Sequence, residues 1–284
     1  MMEIFRRGLV LAAVAFTAAA ASGQMRVRWH NEAVDTTKIT NVLIDVEALK
    51  LESNEAIVAE CGKRFLGTPY VAGTLEGEPE MLTVNTEEMD CTTFMETAVA
   101  MAMTIEARRT SWRDFIYYLT QLRYRGGTVD GYGSRLHYIS DWIVDNAHRG
   151  NLQDVTDRIG KADYVVKTLD FMTSNRDKYP QLKDDKNYEA VKNAEIGYRS
   201  HRFPMLKLQN IKAANIKEGD IIAITTSTKG LDVSHVGIAV TVDGEIHLMH
   251  ASSKEGKVVT DKHSLQEYVR RNRATGIRVV RIKE

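Results

Sequence analysis

Met89-Asp90-Cys91-Thr92-Thr93-Phe94 is the stretch that decides the fold. Over residues 92–108 the apolar residues Phe94, Ala98, Met101, Ala102 and Ile105 recur at spacings of three and four, the stripe of a helix pressed onto a core. Asp90 is a good N-cap, because a short carboxylate accepts from the unpaired N–H groups of a first turn. Cys91 then stands in that turn, where the dipole is positive and a thiol loses its proton more readily. A structural cysteine that begins a helix is the alternative, and the rest of the chain has to separate the two.

At 284 residues, 43% hydrophobic and 27% charged, the chain suits one large core or two modest ones in a soluble globular protein. Lys+Arg and Asp+Glu balance at 38 each, so no overall charge points to nucleic acid or to an anionic membrane. Two cysteines are too few for a disulfide framework, and no CxxC pair occurs. His247-x-x-His250 lacks the HExxH pattern, so no metal site is expected.

Arg6-Arg7 precede an apolar run over residues 8–21, and the small residues Ala21-Ser22-Gly23 follow. This reads as a signal peptide over residues 1–23, cleaved before Gln24 or Ser22, and the run is short for a membrane span. The mature protein is expected to be periplasmic or secreted, with no stable membrane insertion. In such a compartment a Cys61–Cys91 disulfide is the competing use of both thiols.

In chain order, residues 35–49 read as a helix, and Ser53 caps a second one reaching Phe65. Cys61 shares the apolar stripe of that helix with Ile57, Val58 and Phe65, as a small hydrophobe would. Gly67-Thr68-Pro69-Tyr70-Val71-Ala72-Gly73 is a turn-rich loop. Ser111 caps a helix bearing Trp112, Phe115, Ile116, Leu119 and Leu122. Residues 123–142 then set Arg135, His137, Tyr138 and Trp142, with further tyrosines and arginines, among four glycines. Cations mixed with aromatics suit a sugar face and a carboxylate. A surface loop with snorkelling arginines is the plainer reading.

Residues 141–148 make a short helix, 164–171 a strand and 184–200 a charged, exposed helix. From Phe203 onward strands dominate: 205–208, 221–225, 233–242, 245–251, 257–260 and 276–282, with a short helix at 264–271. Helices first and antiparallel strands second give an α+β fold. No repeat or linker interrupts residues 24–284, so one domain is expected, with residues 109–203 inserted between the cysteine helix and the strands.

Cysteine catalysis needs a base and a group that orients it. Ser234-His235-Val236-Gly237-Ile238-Ala239 supplies a candidate base in a strand. The neighbours Gly237 and Ala239 leave room on its face for another element, of which the cysteine helix is the natural candidate. Asp243-Gly244 is a two-residue hairpin signal. If it forms, Val242 pairs with Glu245, Gly237 faces His250 and Val240 faces His247. His235 and His250 are then diagonal neighbours on one face, with Cα atoms about 7–8 Å apart. A bulge would exchange the two histidines.

Gly67-Thr68-Pro69-Tyr70, Asp90-Cys91, Ser234-His235-Val236-Gly237-Ile238 and Leu248-Met249-His250-Ala251-Ser252 resemble, in order, the motifs of NlpC/P60 cysteine amidases. Those are papain-like bacterial cell-wall hydrolases. Gly133-Ser134-Arg135-Leu136-His137-Tyr138 with Asp141-Trp142 further resembles a narrower branch, the N-acetylmuramoyl-L-alanine amidase-like proteins. The resemblance implies a papain-like fold, with the nucleophile helix packed on a β-barrel-like antiparallel sheet. It implies Cys91 as nucleophile, His235 as base and His250 as the orienting third residue. Tyr70 and Ser234 would meet the substrate, joined by Arg135, His137, Tyr138 and Trp142. Val71-Ala72-Gly73 replaces the usual tryptophan and double glycine, and the insertion is long.

The expected activity is therefore hydrolysis of peptidoglycan fragments at N-acetylmuramoyl-L-alanine, by a monomer needing no cofactor. A γ-D-glutamyl-diaminopimelate endopeptidase and a non-catalytic muropeptide-binding protein are the rivals.

Overall fold

A computed structural model describes residues 26–283, so the signal peptide expected over residues 1–23 lies outside the described residues. The first half runs β1 (Val27–Trp29), α1 (Glu32–Glu47), α2 (Asn54–Lys63), β2 (Leu82–Val84), α3 (Cys91–Glu106), α4 (Trp112–Arg123) and α5 (Ile139–His148). There follow β3 (Leu152–Asp154), β4 (Asp163–Val166), α6 (Phe171–Ser174), α7 (Asp185–Gly197), β5 (Arg202–Met205) and α8 (Leu208–Ile211). The chain closes with β6 (Ile221–Thr225), β7 (Val233–Val242), β8 (Glu245–Ser252), β9 (Lys257–Ser264), α9 (Leu265–Arg271) and β10 (Gly276–Ile282).

Helix α3 is the centre. Met95, Ala98, Val99, Ala100, Met101 and Ala102 are all 0% exposed, which makes it apolar on every side and therefore interior. Helices α1, α2 and α4 surround it, and β7 and β8 cover the remaining side. One ion pair enters this interior. The Arg123 Nε donates to Glu96 Oε2 at 2.7 Å and its Nη1 to the Thr83 carbonyl at 2.6 Å, tying α4 to both α3 and β2. Burial raises the Glu96 carboxyl above its ordinary range, and the Arg123 charge opposes that.

The main sheet is antiparallel, in the order β3-β10-β6-β7-β8-β9. It is open rather than barrel-like among the described residues. β3 and β9 are its two edges, four strands apart, and neither pairs with the other. The α+β expectation holds, whereas closure does not. One face, with Val236, Ile238 and Met249, packs on the helices; the other, with Ala239, Leu248 and Val279, packs under α8 and α9.

Asp243 (φ 49°) and Gly244 (φ 80°) both take left-handed backbone, as a tight two-residue hairpin demands. Val242 accordingly pairs with Glu245 and Val240 with His247, the register argued from the sequence.

Two secondary-structure expectations change in the inserted segment, the strand at 164–171 and the exposure of the helix at 184–200. Helices α4 and α5 and strand β3 belong to the main core through Phe115, Leu119, Trp142, Ile143 and Leu152. The satellite is smaller, a second cluster around Tyr132, Tyr138, Leu169, Met172, Leu182 and Val191. Within it the strand expected at 164–171 ends at Val166, where β4 pairs with β5. Lys167 turns away to donate to the Thr226 and Thr228 carbonyls. Helix α7 is also less exposed than its charges suggested. Glu195 on it is buried and accepts from the Tyr138 hydroxyl at 2.7 Å and from the Thr173 hydroxyl.

Candidate active site

The start of α3 is fixed by a reciprocal cap. The Thr93 N–H donates to Asp90 Oδ1 at 2.8 Å, and the Asp90 N–H donates to Thr93 Oγ1 at 2.9 Å. Cys91 is the first helical residue, and the backbone N–H of Val236 from β7, its own N–H and the Thr92 side chain act on its thiol in the direction of a lower pKa. These donors favour a thiolate. Burial and the adjacent Asp90 charge outweigh them and push the thiol up to about 11. The low thiol pKa read from the helix start is thus corrected, because desolvation and a like charge exceed what one helix turn supplies. Cys61 is free as well, fully buried, and burial drives its thiol far higher.

Val236 follows His235, so the N–H at the Cys91 sulfur places that sulfur beside the histidine's own backbone. His235 Nε2 and His250 Nδ1 lie 2.6 Å apart with their rings perpendicular at 89°. The diagonal relation inferred from the hairpin is what brings them together. The room at Gly237 is used differently from the expectation. A Cβ there would stand 2.7 Å from the Met249 carbonyl oxygen and 3.0 Å from the His250 Cβ, so glycine admits the neighbouring strand, and the helix approaches elsewhere. Any side chain at 237 would push His250 away.

Desolvation, and then the other imidazole, pull His235 down to about 3. Desolvation lowers His250 to about 4, opposed by Asp261 and Glu255. Cys91 and His235 are therefore both neutral at neutral pH. Tyr268 of α9 lies against both rings, with centroids 6.3 Å from His235 and 5.3 Å from His250. The Cys91 charge acts on its phenol too. Tyr268 escaped sequence reading because nothing in 264–271 distinguishes it from a helix residue facing a sheet.

Tyr70 is at the site. Its N–H donates to the Gly256 carbonyl at 2.9 Å, and the Val71 N–H donates to the carbonyl of Met89, two residues before Cys91, at 3.1 Å. Desolvation raises the Tyr70 phenol, with the Cys91 and Asp90 charges adding to it. Ser234 is exposed at the start of β7, next to His235. His247 is buried on the other face of β8, its Nδ1 2.9 Å from the Asp261 carbonyl oxygen.

The four residues of 135–142 expected to meet substrate are occupied internally. Arg135 is 5% exposed and donates to Glu76 at 2.7 Å and to the Leu75 carbonyl at 3.1 Å, with Glu80 at 3.6 Å. His137 Nε2 is 2.9 Å from the Tyr132 carbonyl oxygen, and burial, then Arg135, pull it down to about 3. Tyr138 donates to Glu195, and Trp142 lies in the main core at 1% exposure. The cations and aromatics converge on the protein's own carboxylates and core, not on a cleft. Arg135→Ala should therefore cost about 3 kcal/mol in urea unfolding, because it leaves Glu80 buried without its cation. Loss of turnover at unchanged stability would instead return Arg135 to the substrate.

Among the described residues no group of histidine, cysteine, aspartate and glutamate side chains is arranged to hold a metal ion. Nor is any helix there long and apolar enough to cross a membrane.

The chain matches the AmiA-like family, described as N-acetylmuramoyl-L-alanine amidase-like, over residues 60–277. It is similar to a crystal structure named as an N-acetylmuramoyl-L-alanine amidase from Bacteroides uniformis. The identity is 40% and the TM-score 0.77, over 81% of this chain and 99% of that one. A provisionally named xylanase from Bacteroides fragilis is 42% identical with TM-score 0.74, over 78% of this chain and 99% of that one. A Legionella pneumophila protein at 22% identity and TM-score 0.64, over 89% and 97%, shares the fold. No curated protein matches the chain.

Proposed function

The chain belongs to the N-acetylmuramoyl-L-alanine amidase-like family, and from that premise we propose that it is a cysteine-dependent amidase of the bacterial cell envelope. The scissile bond is the amide between the lactyl carbonyl of N-acetylmuramic acid and the amino group of L-alanine in peptidoglycan fragments. The observation that carries this reading is the conjunction at one point of a capped helix start bearing Cys91, the Val236 N–H at its sulfur, and the His235–His250 pair 2.6 Å apart.

In this reading the Cys91 sulfur attacks the lactyl carbonyl as its proton passes to His235. The backbone N–H groups at the start of α3 hold the oxyanion. The imidazolium of His235 then gives its proton to the alanine nitrogen, the C–N bond breaks and a thioester remains. Water, deprotonated by His235, attacks the thioester and releases the lactyl carboxylate and the free thiol. His250 orients His235, while Tyr70 and Ser234 border the substrate. The wider kinship with papain-like NlpC/P60 amidases belongs to the same proposal. So do a single domain over residues 24–284, action as a monomer, and export by the apolar segment at residues 8–21.

The site's chemistry suits acyl transfer better than glycoside hydrolysis, which needs two carboxylates flanking the bond. Of the nearby carboxylates, Asp90 and Asp261 are engaged by the α3 cap and by His263. Digestion of a defined muropeptide with mass analysis of the products tests the reading. Expected products are a sugar keeping its lactyl carboxylate and a peptide beginning at free L-alanine. A cut after D-glutamate would select the endopeptidase, and binding without products would select the binding protein.

A further inference from the structure

Behind the two histidines stands a carboxylate that no role in the reaction has yet used. β8 and β9 pair at His247 with Ser264 and at Met249 with Thr260, so residues 261–263 stand against Leu248 alone. Met249 pairs with Thr260 and His250 with Val259, so Asp261, two residues on from Val259, stands at the edge of the bulge on the face of His250 and diagonal to it. His250 Nε2 is buried without a hydrogen-bond partner, and Asp261 Oδ2 faces it at 4.0 Å. The other oxygen of Asp261 is committed. Oδ1 accepts the backbone N–H of His263 at 2.8 Å and lies 3.0 Å from His263 Nδ1.

We propose that Asp261 is a positioning residue that fixes the tautomer of His250 and thereby keeps His235 competent as the base. The inference rests on the assignment of His235 as base made above. A carboxylate can only accept, so it favours the His250 tautomer carrying its proton on Nε2. Nδ1 of His250 is then a lone pair, and the 2.6 Å contact must be a hydrogen bond donated by His235 Nε2–H. A neutral His235 protonated on Nε2 presents Nδ1 as the lone pair that takes the thiol proton. The opposite tautomer of His250 would donate from Nδ1, put the His235 proton on Nδ1 and leave no base for Cys91.

Asp261→Asn distinguishes this role from mere structural support. The His263 N–H is a fixed donor, so the amide oxygen must take the place of Oδ1 and the NH2 group that of Oδ2. An N–H donor then faces His250 Nε2 and enforces the wrong tautomer. Asp261→Ala removes the bias without reversing it, but it also removes the contacts to His263. Tautomer control therefore makes Asn the worse substitution, whereas structural support makes Ala the worse one.

The expected result is a kcat loss of at least about 100-fold for Asp261→Asn with KM within a few-fold, against a smaller loss for Asp261→Ala. An amide in place of the carboxylate behind a base histidine costs up to about 10⁴-fold in catalytic triads. Glu255, the other carboxylate whose charge acts on His250, is exposed in the turn after β8, and Glu255→Gln should leave kcat unchanged. Long-range ¹H–¹⁵N spectra of the full-length wild-type protein read the tautomer directly, independently of whether any variant folds. They should show the proton of neutral His250 on Nε2 and that of His235 also on Nε2. The reverse tautomers, or an Ala variant slower than the Asn variant, would overturn the inference. Should Cys91→Ala retain hydrolysis, the assigned reaction fails instead, and the spectrum still decides the tautomer because it needs no substrate.

Discussion

Cys91→Ala should abolish muropeptide hydrolysis, by at least about 10⁴-fold, while the protein keeps its fold. In the proposed reaction the thiol forms the acyl intermediate, so that route is lost with it. Its contribution to folding is small by comparison. The start of α3 is held by Asp90 and Thr93, whose reciprocal hydrogen bonds do not involve the sulfur. Stability should therefore change by no more than about 1 kcal/mol. Cys61→Ala should give the opposite pattern. That side chain is 0% exposed within the core around α2 and α3, so its truncation costs about 1 kcal/mol or more and leaves turnover within a few-fold. Alkylation by iodoacetamide should follow the same division. Cys91, partly exposed, reacts in the native protein, and Cys61 reacts only after unfolding. Equal inactivation by the two variants, or a Cys61–Cys91 disulfide in active protein, would refute the assignment of Cys91.

What could be read from the sequence was what periodicity and turn chemistry control. The stripe Phe94, Ala98, Met101, Ala102, Ile105 gave α3, and Asp90 its cap. Asp243-Gly244 gave the β7–β8 register, because a two-residue turn leaves one way to pair the strands. Side-chain direction was harder where partners come from distant segments. Arg135 looked free for a ligand because Glu76 and Glu80, which hold it, lie about sixty residues upstream in an irregular loop. Glu195 looked like one more surface charge on α7, yet Tyr138 and Thr173 bury it. The closure of the sheet could not be read either, since it depends on whether β3 and β9 meet at opposite edges. Asp261 was hidden for a different reason. Its strand was expected to stop at Thr260, and no turn residue between Lys257 and Ser264 announces that β9 runs on through a bulge to Ser264.

His250→Ala should cost about 10²–10⁴-fold in kcat/KM, whereas His247→Ala should cost no more than a few-fold, although the two residues differ only by three positions on one strand. The difference follows from the pairing of β7 with β8. Val240 opposes His247 and Ile238 opposes Met249, so His250 shares the face of His235 and His247 does not. On that face His250 Nδ1 meets His235 Nε2 at 2.6 Å, and truncation removes this hydrogen bond from the proposed base. Without it the His235 ring loses both its orientation and its tautomeric bias, neither of which water restores inside a site this desolvated. The His247 side chain is hydrogen-bonded instead to the Asp261 carbonyl, through Nδ1 at 2.9 Å. Its loss therefore frees one backbone acceptor in the bulge and costs about 1 kcal/mol of stability. The measurement is kcat/KM and urea midpoint for both variants on the same muropeptide. A slow His247→Ala with an active His250→Ala would mean that the hairpin register in solution is shifted by one residue and that the orienting histidine is misassigned.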